Sequence, residues 1–258
     1  MKKFLDAIDA AIAAGVLLGL CEPQMTGIGG DCFVLYNQPG QDTVLAHNAS
    51  GRAPAAANAA DLRARGLDTV PLHGPEAVTI PTAIAGFADL AQRVGKLGLD
   101  ALLAPAIHYA EHGIPVAPRV AFDWPEAAKC LNPTAQRHFL IDGKLPKPGQ
   151  IFRAPGQAEV LRRVARDGAR AFYEGEVAAD MVAALQGLGG VHTEADFAAA
   201  TSNASTPVAG TYKQMELVEH PPNGQGATAI LMLNILSHFD IAGMDPFGSQ
   251  RAHIEAEA

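Results

Sequence analysis

An apolar helix that must run into a strand through a glycine-crowded turn is the feature that most restricts this chain. Ala10-Ala11-Ile12-Ala13-Ala14-Gly15-Val16-Leu17-Leu18-Gly19-Leu20 carries no charge, and Glu22-Pro23 ends it. Gly27-Ile28-Gly29-Gly30 then leads into β-prone Cys32-Phe33-Val34-Leu35-Tyr36, with Pro39-Gly40 as the closing turn. Three glycines in four residues permit positive φ and a close approach of another segment or a ligand. A phosphate loop follows a strand and opens a helix, the reverse of the order found here. The helix is expected over Phe4 to Leu20. Asp9 and Glu22 leave it short of the ~20 apolar residues of a membrane span, so a buried core helix is expected. Small residues at Ala11, Gly15 and Gly19 would admit a close neighbour, and the same surface left uncovered would be an aggregation hazard.

The remainder alternates helices with turn signals. A surface helix is expected over Ala55 to Gly66, a short strand at Ala77 to Ile80, and a helix pair over Thr82 to Val94 and Leu99 to His112. Gly95 to Gly98 forms the joint of that pair and Gly113 its cap. Pro105 is placed near a helix start, and Trp124-Pro125 is expected to interrupt a helix over Arg119 to Leu131. Asn132 to Pro155 reads as a loop with an Asp142-Gly143 turn. Helices follow over Gln157 to Asp167 and Gly175 to Leu188, and Thr193 is an N-cap with Asp196 three residues on. Strands separated at Gly210 are expected over Val208 to Val218, then an apolar helix over Ala227 to Phe239. No linker divides the chain cleanly.

Several motifs, taken together and in this order, resemble the γ-glutamyltranspeptidase family of N-terminal-nucleophile hydrolases. They begin with Ala7 to Ala14 and Glu22-Pro23 through Gly30, followed by Ala53-Pro54, Gly74 to Pro81, Leu102 to Gly113 and Ala171 to Glu176. Gly189-Gly190, Pro221-Pro222-Asn223-Gly224-Gln225-Gly226 leading into Leu231 to Leu236, and His253 to Ala256 complete the series. The resemblance covers nearly the whole chain. It implies an α+β fold, the helix-rich large-subunit portion of an αββα sandwich, incomplete here and forming one domain over residues 1–258. It also implies a precursor cut into two chains, with catalysis by a threonine freed at the start of the second.

No threonine of this chain is followed by Thr-His, the triplet typical of that nucleophile. An interior threonine lacks the free α-amine that activates its hydroxyl. The expectation is therefore a large-subunit fragment, catalytically inert alone. Its partner would be a C-terminal polypeptide carrying the nucleophile, and its substrate a small γ-glutamyl or acyl-amide molecule. The sequence Met1-Lys2-Lys3-Phe4-Leu5 stands where the family has an earlier strand and helix lead-in, and Ser249 to Ala258 reads as a helix that stops uncapped. Both ends read as truncated.

By the same resemblance an arginine three residues before Ala-Pro would hold the substrate's carboxylate through a bidentate contact. That place holds Ser50, and the arginine stands at Arg52, next to Ala53. Ser50-Gly51-Arg52-Ala53-Pro54 resembles instead the variant of relatives acting on glutaryl-type amides. Ser50 and Arg52 are the candidate substrate-binding residues, with a surface ion pair as the other reading of Arg52. Gly29 and Gly30 are read as structural, seating the strand.

Other chemistry finds little support. With 19 basic and 27 acidic residues, net −8, and basic residues scattered, no nucleic-acid surface is expected. Cys21, Cys32 and Cys130 suit neither a disulfide framework nor a zinc site. His108 and His112 share a helical face without a third ligand, so no metal site is expected there, and the enzyme that the family resemblance implies would use neither a metal nor an organic cofactor. Asp6 and Asp9 interrupt what would be the core of a signal peptide. Two other classes stay open: a non-catalytic scaffold that kept the large-subunit fold, and an unrelated nucleotide-binding α/β protein using Gly27 to Gly30.

Overall fold

The computed structural model describes residues 6–38 and 40–258. The first part of the expected N-terminal helix and Pro39 lie outside the described residues. In chain order the elements are α1 (Ala7–Cys21), β1 (Cys32–Asn37), β2 (Val44–Ala49), α2 (Ala59–Ala64), α3 (Ala83–Arg93), α4 (Leu99–His112), β3 (Ile114–Pro115), α5 (Pro118–Ala128) and α6 (Pro133–Phe139). Then come β4 (Ile151–Phe152), α7 (Pro155–Asp167), α8 (Arg170–Tyr173), α9 (Glu176–Gly187), α10 (Glu194–Ala198), β5 (Asn203–Ser205), β6 (Val208–Tyr212), β7 (Met215–Glu219), α11 (Gly226–Leu236) and α12 (Ser249–Glu257).

The chain divides into two compact units, residues 1–32 with 49–202 and residues 33–48 with 203–258. It passes between them three times, which is why no single linker is visible in the sequence.

The larger unit is helical. Helix α4 packs against α1 and against α7. Its core gathers Leu20 of α1, Ala110 of α4, Val120 and Trp124 of α5, and Ala158 of α7 around the short β3–β4 pair, in which Ile114 faces Phe152. Trp124 meets Phe152 edge-on, with ring centroids 5.1 Å apart. Asp9, buried in the first turn of α1, accepts the backbone N–H of Lys96 at 3.1 Å and of Leu97 at 3.4 Å. One carboxylate thereby ties α1 to the α3–α4 joint.

The smaller unit holds most of the β1–β2 hairpin, with β5 antiparallel to β2 (Ala46 opposite Ser205, Asn48 opposite Asn203). A second hairpin, β6–β7, packs against α11.

Several expectations are corrected. Helix α1 is not buried all round, because Ala11, Ala14 and Leu18 are exposed while Ile12, Val16, Gly19 and Leu20 are buried. No glycine of 27–30 has positive φ. Gly19 is needed for close packing, since a β-carbon there would stand 3.0 Å from the Gly27 Cα, whereas one at Gly29 or Gly30 would meet nothing among the described residues. The seating role expected of that pair is not carried by their lack of a side chain here.

Residues 77–80 form no strand: a 3-10 turn over Pro75–Ala77 precedes a stretch without a partner strand among the described residues. The helix within 55–66 is shorter than expected, capped by the Asn58 side chain. Helix α4 runs through Pro105, whose ring is exposed. Ala101, whose carbonyl loses its partner, is itself exposed. Pro125 is likewise interior to an uninterrupted α5. The expected loop after Leu131 contains α6, begun by the Asn132 side chain and Pro133. Gly210 lies inside β6 opposite Leu217, where a β-carbon would come within 2.4 Å of Ile230 on α11.

The Asp142-Gly143 turn forms as expected, both residues at positive φ between bridged Ile141 and Lys144. Thr193 and Asp196 make the expected capping box.

Candidate functional site

The segment carrying Ser50 and Arg52 is laid against residues 78–82 in the larger unit. Contact is close enough to demand glycine at position 51, because a β-carbon there would lie 1.6 Å from the Ile80 carbonyl oxygen. The next residue completes the match: Ile80 donates its backbone N–H to the Arg52 carbonyl at 2.9 Å. Arg52 is thus fixed by its backbone while its side chain stands exposed, without an ion pair or hydrogen bond among the described residues. Ser50 is half-buried at the end of β2.

What holds residues 78–82 is a set of buried polar groups. His192, 1% exposed, places Nε2 2.8 Å from the Val78 carbonyl, so Nε2 carries the proton and donates. The Thr82 hydroxyl donates to the Ala49 carbonyl at 2.6 Å, just upstream of Ser50. The N–H groups of Thr82 and Ala83, at the start of α3, both donate to the Gly30 carbonyl at 2.9 and 3.0 Å. One residue, Thr82, therefore joins the glycine turn to the Ser50 segment. Ala85, in the same helical turn, donates to the Tyr173 hydroxyl oxygen at 3.0 Å. Burial pushes the Tyr173 phenol well above its ordinary range.

The downstream end of the segment is fixed by Asp196, which accepts the Ala55 N–H at 2.9 Å. That bond, aided by the Thr193 hydroxyl, holds the Asp196 carboxyl below the usual carboxylate range.

In the smaller unit the loop from Pro221 to Gly226 is bound to β2. His220 Nε2 lies 3.1 Å from the His47 carbonyl, and Asn48 donates its side-chain amide to Asn223 Oδ1 at 2.9 Å. His108 and His112 stack with ring centroids 4.4 Å apart. Among the described residues no group of three or more His, Cys, Asp or Glu is placed to hold a metal ion. No helix among them is long and apolar enough to cross a membrane.

Sequence reasoning proposed Ser50 and Arg52 as candidates and did not single out Gly51, Thr82, Tyr173 or His192, which shape the segment that carries them. Gly51 between two named candidates was the available signal. The other three act over long sequence separations and leave no local pattern.

The order of motifs around this site extends to the whole chain: the family model described as gamma-glutamyltranspeptidase matches residues 5–258. The chain belongs to the γ-glutamyltranspeptidase family. It is 33% identical, over 100% of its own length and 49% of the relative's, to the glutathione hydrolase-like YwrD proenzyme of Bacillus subtilis. The chain thus spans about half the length of that curated relative. Among solved structures it resembles the γ-glutamyltranspeptidase of Helicobacter pylori, with a TM-score of 0.91 and 26% identity over 98% of this chain and 74% of that one. The cephalosporin acylase of Bacillus halodurans matches with a TM-score of 0.88 and 35% identity over 97% of this chain and 48% of that one. The expected fold class, α+β and helix-rich as in N-terminal-nucleophile hydrolases, is borne out by these neighbours.

Proposed function

We propose that this chain forms the large-subunit part of a γ-glutamyltransferase, or of a γ-glutamyl or glutaryl amide hydrolase, with Arg52 and Ser50 holding the substrate. One observation carries this reading: Arg52 has a backbone locked to Ile80 and a guanidinium with no protein partner among the described residues. The backbone fixes where the Arg52 side chain begins, and its exposed guanidinium is available for bidentate pairing with a carboxylate. A partner from within the chain would have argued for the surface ion-pair reading instead. Ser50, two residues earlier, supplies a hydroxyl able to donate to the same anion.

The nucleophile comes from outside this chain. A threonine with a free α-amine on a second polypeptide attacks the substrate's amide carbonyl; its amine takes the hydroxyl proton and the leaving amine receives it. The acyl-enzyme is then resolved by water or by an acceptor amine. Two uncovered apolar faces support the need for further polypeptide. One is Ala11, Ala14 and Leu18 on α1 of the larger unit. In the smaller unit, Leu231, Met232 and Ile235 of α11 are 60%, 38% and 38% exposed. The similarity to a cephalosporin acylase supports the amide-hydrolase branch.

The test compares Arg52→Ala and Arg52→Lys in the complete two-chain enzyme on a γ-glutamyl anilide and a glutaryl anilide. Loss of the bidentate contact should raise KM by roughly ten- to a hundred-fold for Ala and about ten-fold for Lys, with kcat changed far less. An unchanged KM in Arg52→Ala removes Arg52 from the site. Turnover by this chain alone, free of any companion peptide, removes the second-chain nucleophile.

A further inference from the structure

A second cleft, remote in sequence from Arg52, lies at the start of α7 in the larger unit and encloses about 410 Å³. Arg137 and His138 of α6 and Arg153 just after β4 line it, and none of the described residues that line it is acidic. In a chain of net charge −8 such a segregated basic pocket is unusual. Neither guanidinium has a carboxylate partner among the described residues; Arg137 reaches only the Thr134 hydroxyl, at 3.2 Å. On α7 itself the arginines are paired, Arg162 with Glu111, Arg163 with Glu176 and Arg166 with Asp167.

The backbone adds donors there. Helix α7, 13 residues long, has no side-chain cap, and Pro155 at its first turn has no N–H to offer. Ala154 gives its N–H to the Ala110 carbonyl, and helical bonding resumes with Ala158 to Ala154. The N–H groups of Gly156 and Gln157 are left without partners among the described residues, at the positive end of the helix dipole. These donors line the same cleft as the basic side chains.

We propose that this cleft binds a phosphate-type dianion. Two guanidinium groups, an imidazole and two main-chain N–H groups exceed what a single carboxylate accepts, and suit the oxygens and charge of a phosphate. Pro23, Phe139 and Phe152 form an apolar wall on which an organic body attached to the phosphate can rest. The inference is independent of the role given to Arg52.

The experiment is equilibrium dialysis of this chain against radiolabelled inorganic phosphate, with a parallel thermal-shift titration at constant ionic strength adjusted with chloride. Saturable binding and a phosphate-dependent rise in Tm are expected. Arg153→Ala and Arg137→Ala should each weaken binding about ten-fold, and the two together should abolish it. Arg166→Ala, on α7 but outside the cleft, should bind as the parent does. A phenyl phosphate arm identifies the source: tighter binding than inorganic phosphate assigns an organic phosphate using the apolar wall, and equal binding assigns free phosphate. Absence of saturable phosphate binding by the parent chain up to millimolar concentration overturns the proposal. So does unchanged affinity in the double variant, whose substitutions fall on exposed side chains and leave the core untouched.

Discussion

Gly51 and Ile80 approach so closely that the Ile80 carbonyl oxygen occupies the space a side chain at position 51 would need, 1.6 Å from an ideal β-carbon. Ile80 then returns a hydrogen bond to Arg52, so the glycine sets the position of the candidate carboxylate-binding residue.

Gly51→Ala should therefore force the two segments apart. Overpacking against backbone costs about 3 kcal/mol, since no side chain can rotate away to relieve it. Urea unfolding of the variant measures this, and amide exchange at Ile80 should accelerate relative to the parent. A variant as stable as the parent with Ile80 still protected would contradict the geometry.

Asp9 is fully buried and has three short approaches from the amides of Lys96 and Leu97. Removing its carboxylate in Asp9→Ala strands those donors in the interior and should cost about 3 kcal/mol. Asp9→Asn keeps one acceptor oxygen and should lose roughly half as much. Chemical denaturation of the two variants checks the ranking; equal losses would mean the oxygens are not the important contact.

Tyr173 provides a pH signature. Burial raises its phenol above the ordinary value of 10.0, so the folded state holds the proton more tightly than the unfolded chain. The associated stability is fully present below about pH 10 and is lost as pH rises from the unfolded value towards the folded one. Ultraviolet titration of the four tyrosines should show one that ionises only with unfolding. Tyr173→Phe should remove that late step and cost about 1 kcal/mol by leaving the Ala85 N–H without its acceptor.

The three cysteines should separate by reactivity. Burial, reinforced by the Asp31 carboxylate, pushes the Cys32 thiol up to about 11, and Cys21 is raised for the same first reason. Cys130 is exposed, with its sulfur 3.4 Å from His73 Nε2. At pH 8 an aromatic disulfide reagent should modify Cys130 at least about ten-fold faster than Cys32, because the thiolate is the attacking form. Cys130→Ser should abolish the fast phase, and a persisting fast phase would place a second accessible thiolate.

The sequence by itself determined the elements whose causes are local. Helix α1 follows from an uninterrupted apolar run, α10 from the Thr193 and Asp196 capping box, and the bridged turn at Asp142-Gly143 from two residues that tolerate positive φ. The motif order also carried the family, and with it Ser50 and Arg52 as candidates. What tertiary structure alone decided has long-range causes. Pro105 and Pro125 both lie inside helices as exposed residues, an exposure that no propensity encodes. The frame behind Arg52 depends on Ile80, Thr82, Tyr173 and His192, the last separated from Val78 by 114 positions. A hydrogen bond across that separation is written in no local pattern, because it depends only on where folding brings its two ends.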